Sequence, residues 1–106
     1  LVSSAAARIG TPNHEAVAAA KAGLEGLVRG TAASYAANGI RINAVAPGII
    51  TSDMTKDVFD EATIKQLVPM KRAGKPEEVA ELVAFLASDA AGYITGQIIS
   101  INGGIV

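Results

Sequence analysis

The chain has 106 residues, half of them hydrophobic, with nine Lys and Arg against ten Asp and Glu. It can bury one core of ordinary size and lacks the basic surplus of a nucleic-acid surface or a polybasic membrane anchor. Without cysteine there is no disulfide framework and no thiolate zinc site, which fits a reducing, cytoplasmic setting. The longest uncharged run, 90–106, is shorter than the ~20 apolar residues a spanning helix needs and is interrupted by glycines, Gln97 and Asn102. Neither a membrane segment nor a metal site is expected.

Leu1 to Ser4 reads as the end of a strand, so the sequence is expected to be a piece of something longer. Pro12 and Asn13 punctuate a loop, and an alanine-rich helix runs on to about Ala37, with Asn13 as its expected N-cap and Asn38-Gly39 as its stop. At about 100° per residue, Val17, Lys21, Leu24 and Val28 share one face, while Ala19, Gly23, Gly26 and Gly30 share the opposite one. Two buried faces are therefore expected. Glycine inside a helix costs up to about 1 kcal/mol relative to alanine, so the glycine stripe calls for a close neighbour, within the chain or across a subunit interface.

Arg41 to Ala46 reads as a short apolar strand ended by Pro47-Gly48, and strand, helix, strand in this order implies a right-handed parallel crossover. Ile49 to Met70 is a mixed, lid-like segment with helical patches at Lys56 to Phe59 and Glu61 to Val68. Pro76 opens a further helix, with Glu77 and Glu78 placed well against its dipole and Val79, Leu82, Val83 and Leu86 at helical spacing, ending near Ser88. After a loop from Ala90 to Gly96, Gln97 to Ile101 reads as a last buried strand closed by Asn102-Gly103-Gly104. The fold class is α/β, the second half of a doubly wound parallel sheet in three αβα layers.

Ligands of such sheets bind beyond the carboxyl ends of the strands, here Ser3-Ser4, Pro47-Gly48 and the Asn102-Gly103-Gly104 tail. Lys21 faces that region from an apolar stripe, either as a snorkelling side chain or as a functional cation. Five segments in order carry a resemblance: the strand-end serine, Ala18-Ala19-Ala20-Lys21-Ala22-Gly23, the run from Gly39 to Gly48, Ser52-Asp53-Met54-Thr55, and Tyr93-Ile94-Thr95-Gly96-Gln97 leading into Asn102-Gly103-Gly104. Together they resemble the carboxyl-terminal half of the short-chain dehydrogenase/reductase domain, over essentially all of 1–106.

The resemblance implies hydride transfer between NAD or NADP and a small carbonyl or alcohol substrate. In that family a serine steadies the substrate oxygen, a tyrosine donates the proton, and a lysine lowers the tyrosine's pKa and holds the ribose. Ser4 and Lys21 match the serine and the lysine. Pro47, Gly48 and Ile49 resemble the loop under the nicotinamide, and Ser52 stands where a threonine usually touches the cofactor. The tyrosine is not matched: Val17 occupies its position and has no proton to give. His14, one turn earlier, is a possible substitute acid with a suitable ordinary pKa near 6.5. Tyr35 lies roughly 27 Å along the helix and cannot reach, and Tyr93 reads as a packing residue, Arg41 and Asn43 as structural.

No Gly-x-Gly-x-x-Gly turn occurs, so the amino-terminal dinucleotide-binding half is absent from 1–106. The resemblance also implies a homodimer or homotetramer, through the small-residue helix face, the last helix and the final strand. A rival reading makes the parent a catalytically silent homologue serving as scaffold or oligomer partner.

Overall fold

The computed structural model describes residues 1–4, 12–51 and 59–105. Its elements are α1 (Glu15–Tyr35), β1 (Ala44–Pro47), α2 (Glu61–Leu67), α3 (Pro76–Ala87) and β2 (Ile98–Ile101), with short 3-10 turns at Ala36–Asn38 and Asp89–Ala91. β1 and β2 are parallel, in register from Ala44 opposite Ile98 to Pro47 opposite Ile101. Parallel neighbours require a crossover, and α3 lies within it. The Leu1–Ser3 segment joins the other side of β1. Val2 bridges Val45 in parallel, Ser3 N donates to Val45 O at 2.7 Å, and Val45 N donates to Leu1 O at 2.9 Å.

β1 is thus the central strand, and Ala44, Val45 and Ala46 are all buried. A strand buried at successive positions is covered on both faces, as parallel sheets are. Val45 shares a groove with Val83 and Leu86 of α3, so alternation turns Ala44 and Ala46 to the opposite face. The expected α/β architecture with a parallel sheet is present.

β1 begins at Ala44, three residues later than the apolar pattern suggests, because side chains take the place of ladder bonds. Ile42 N donates to Thr95 Oγ1 at 3.1 Å, Asn43 Nδ2 donates to Ile94 O, and Asn43 Oδ1 accepts from Gln97 N. Arg41 donates to the carbonyls of Leu86, Ser88 and Ile94. Its guanidinium thereby closes the carboxyl end of α3, where a cation also meets the negative end of the dipole. The structural roles expected of Arg41 and Asn43 are seen here in atomic detail.

α1 departs from expectation in three respects. Its N-cap is His14. Asn13 has φ 62°, a left-handed conformation that asparagine tolerates, and it turns the chain into the helix instead of capping it. The buried stripe runs through Glu25, Val28 and Ala32, with Lys21 and Leu24 half-buried, while Val17 at its near end is exposed. The opposite face is open: a Cβ built on Gly23, Gly26 or Gly30 meets nothing within 4 Å. The second buried face is therefore not formed among the described residues. The helix stop is as expected, with Gly39 at φ 76° after the 3-10 turn.

Asp60 caps α2, its Oδ1 accepting from Thr63 N at 2.7 Å, and this short helix falls within the expected 61–68 patch. The other expected patch lies outside the described residues except for Phe59. α3 matches its expected bounds, with Pro76 in the first turn and Glu78 Oε1 accepting from Lys75 N at 3.0 Å.

Candidate active site at the strand ends

Two groups of residues gather at the carboxyl ends of the strands. The first is the junction of Leu1–Ser4 with α1. Lys21 Nζ donates to Val2 O at 3.2 Å, so the ammonium reaches back to the strand end. Ser3 is 3% exposed and Glu25 5%. Ser3 Oγ donates to Glu25 Oε2 at 2.5 Å and lies 3.5 Å from Lys21 O. The other carboxylate oxygen of Glu25 is 3.8 Å from the Arg29 guanidinium. A buried carboxylate needs such partners, since desolvation without them is costly. Ser4 follows directly, half-buried.

The second group forms a cleft beyond β1 and β2, walled by Ile49, Ile50, Met70, Ile101, Asn102 and the Arg72–Glu78 pair. Of the expected site residues it takes in Ile49, and neither Lys21 nor Ser4 is among its walls. Gly48 has a packing reason of its own: a Cβ there would come within 2.6 Å of Asn102 Cβ, so the two loops meet only because the side chain is missing. Gly48 N donates to Ile101 O, extending the ladder past Pro47, which has no N–H to give, and Ile49 O accepts from Gly74 N. Two backbone groups of the expected nicotinamide loop are thus engaged internally. Asn102 Oδ1 accepts from Gly104 N, while its buried Nδ2 has no acceptor among the described residues. Ser52 lies outside the described residues.

Arg72 and Glu78 form a bidentate pair at 2.8 and 3.1 Å. The hydrogen bond from Arg72, reinforced by the Lys75 amide, lowers the Glu78 carboxyl to about 2, and the same bond raises the Arg72 guanidinium. This pair braces the start of α3 and the cleft wall.

Val17 stands in the first turn of α1, four residues before Lys21 and 46% exposed. His14 is exposed, and its Nδ1 is 2.8 Å from Pro12 O. The sequence pattern placed Ser3 with Ser4 at the strand end but gave no role to Glu25 or to its bond with Ser3. The available signal was a carboxylate four residues after Lys21, between Leu24 and Val28 on the face that must be buried.

A family profile described as Enoyl-(Acyl carrier protein) reductase matches residues 1–106. The chain belongs to the short-chain dehydrogenase/reductase family. It is similar to the 3-oxoacyl-(acyl-carrier-protein) reductase FabG of Thermotoga maritima, 46% identical over 107 residues that cover 99% of this chain and 44% of that protein. The 3-oxoacyl-(acyl-carrier-protein) reductase of Synechocystis is 45% identical over 106 residues, covering 99% of this chain and 42% of that one. Among solved structures, a short-chain dehydrogenase/reductase of Brucella melitensis, titled a glucose/ribitol dehydrogenase, superposes with a TM-score of 0.91 at 36% identity, covering 99% of this chain and 43% of that one. The chain spans less than half the length of the curated relatives it matches. Its fold neighbours carry the doubly wound nucleotide-binding fold, as the sequence pattern led us to expect.

The donor set at the first junction suits the ribose of a nicotinamide cofactor. A lysine ammonium has three N–H donors, and among the described residues one is spent on Val2 O, leaving two for neighbouring hydroxyls. Among the described residues no group of three or more His, Cys, Asp or Glu could hold a metal ion, and no helix is long and apolar enough to cross a membrane.

Proposed function

We propose that residues 1–106 are the carboxyl-terminal half of a single NAD(P)-dependent oxidoreductase domain, working in the cytoplasm on a small carbonyl or alcohol substrate. The observation that carries this reading is the Lys21 ammonium, held at the strand end by Val2 O with two donors to spare. Lys21 would hold the nicotinamide ribose, Ser4 would hydrogen-bond the substrate oxygen, and Pro47, Gly48, Ile49 and Ser52 would line the ring. When bound, the cofactor supplies or accepts the hydride. The described loop limits one part of this: Gly48 N and Ile49 O already serve the chain itself, so ring contacts fall to other groups of the segment.

Acid catalysis is the altered step. Val17 has no ionisable proton, so the proton for the product alkoxide comes from elsewhere; His14, one turn before it, is exposed and carries a titratable ring. The names of the matching family and relatives share acyl-carrier-protein substrates, which makes a 3-oxoacyl thioester the first compound to assay. For assembly we propose a homodimer or homotetramer in which the open glycine face of α1 meets a second copy.

Reduction of a 3-oxoacyl thioester by the full-length polypeptide, followed as loss of nicotinamide absorbance, tests the reading. Val17→Tyr should create or raise that activity by on the order of a hundredfold or more, the usual worth of a positioned general acid. A blank unchanged by Val17→Tyr, in a protein that also fails to bind cofactor, would favour the silent scaffold, the reading that exposed Val17 itself supports.

A further inference from the structure

The buried carboxylate of Glu25 has no part in the chemistry above, and burying it is expensive. An aliphatic side chain at this position would complete the stripe of Leu24, Val28 and Ala32 without desolvating a charge. Buried polar groups can instead fix one arrangement of packed elements among several. Here the arrangement is the strand end against the helix turn that carries Lys21.

Beside the long Ser3 Oγ–Lys21 O contact at 3.5 Å, two shorter side-chain links among the described residues cross that junction in opposite senses. The Lys21 side chain donates to the backbone of Val2, and the Ser3 side chain donates to Glu25. Lys21 and Glu25 are four residues apart and so share a helix face one turn above the other, just as Val2 and Ser3 are adjacent on the strand. At 2.5 Å the Ser3–Glu25 contact is at the short end for a hydroxyl bonding a carboxylate. Ser4 comes immediately after these anchored residues. Backbone bonds to Val45 hold this segment in the sheet, and the second link fixes the helix turn against it, so losing that link would shift Lys21 relative to the Val2 carbonyl and to Ser4.

We propose that Glu25, acting through Ser3, is a positioning residue that sets the Lys21 ammonium and the Ser4 hydroxyl in register. The inference rests on the reading that Lys21 holds the cofactor ribose, and one experiment separates the two. NADH and NADPH are titrated by nicotinamide fluorescence against the full-length polypeptide, its Glu25→Ala, Glu25→Gln, Ser3→Ala and Lys21→Met variants, and the Glu25→Ala/Lys21→Met pair, with circular dichroism to check folding.

Glu25→Ala and Ser3→Ala should each weaken binding roughly tenfold, since a misplacement of about an ångström can cost up to a hundredfold. Glu25→Gln, which keeps an acceptor for Ser3, should recover most of the loss. The double variant should bind no more weakly than Lys21→Met alone, because the proposed effect of Glu25 on cofactor binding passes through that ammonium. If Glu25→Ala fails to fold, Ser3→Ala and its pairing with Lys21→Met decide by the same criteria. Wild-type binding in the folded variants, or losses that multiply with that of Lys21→Met, would overturn the positioning role while leaving the ribose reading in place. Unchanged binding by Lys21→Met, or none by the wild type, would overturn both.

Discussion

The two faces of α1 present opposite problems. The inward face is accounted for by the chain itself: Val28 and Ala32 are buried, Gly96 approaches Ala32 so closely that a Cβ there would lie 3.0 Å from the alanine methyl, and Glu25 and Lys21 tie the strand end to the helix. The outward face carries Gly23, Gly26 and Gly30 with open space around each. Small residues on an open helix face weaken the helix and return nothing among the described residues. One side of the helix thus ties the strand end, and the other meets no described residue within 4 Å of its glycines.

Loading the outward face gives the largest expected effect. Gly23→Leu with Gly26→Leu improves helix propensity and disturbs no contact among the described residues, so the fold should persist while the proposed assembly dissociates to monomers in analytical ultracentrifugation. An unaltered sedimentation coefficient would reject that face as the contact. The inward face should respond in stability instead. Val28 is completely buried, and Val28→Ala should cost on the order of 2 kcal/mol through lost transfer energy and a residual cavity, read as a lower midpoint in urea. A cost near zero would mean that α1 is not packed on the sheet as described.

The smallest effect comes from Glu78, an exposed carboxylate that contrasts with buried Glu25. Its pKa is lowered from 4.5 to about 2, so its contribution is present above the unfolded value and fades as pH falls from about 4.5 through about 2. Glu78→Gln should remove that part of the acid sensitivity and leave stability at pH 7 only slightly reduced, since the pair is solvent-exposed and screened. An identical acid profile in the variant would show that the Arg72 bond is not maintained in solution.

Much of this was readable from residues alone. α3 was legible because Pro76, two glutamates and an apolar repeat all agree, and the parallel order followed from strand, helix, strand. The start of β1 was not, since at 41–43 side-chain hydrogen bonds of Thr95, Asn43 and Arg41 are mixed with backbone bonds to Gly96 and Leu1 instead of a regular ladder, and only the fold brings 95 to 42. Asn13 has the composition of a cap and the backbone of a turn, a distinction that depends on φ. At the site, Lys21 stood out as a charge in an apolar stripe, and it does reach the strand end. Glu25 was passed over because a lone glutamate in a helix usually faces water, and its partner Ser3 is remote in sequence.

In the proposed function the Lys21 ammonium holds a nicotinamide ribose at the strand end. Calorimetric titration of NADH and NADPH into the full-length polypeptide, beside its Lys21→Met variant, tests this most directly. We predict saturable heat of binding for at least one cofactor, weakened at least tenfold by the substitution, as expected when charge-assisted bonds worth about 1.5–3 kcal/mol are removed. Equal affinities in the two proteins, or no binding heat at millimolar cofactor, would contradict it.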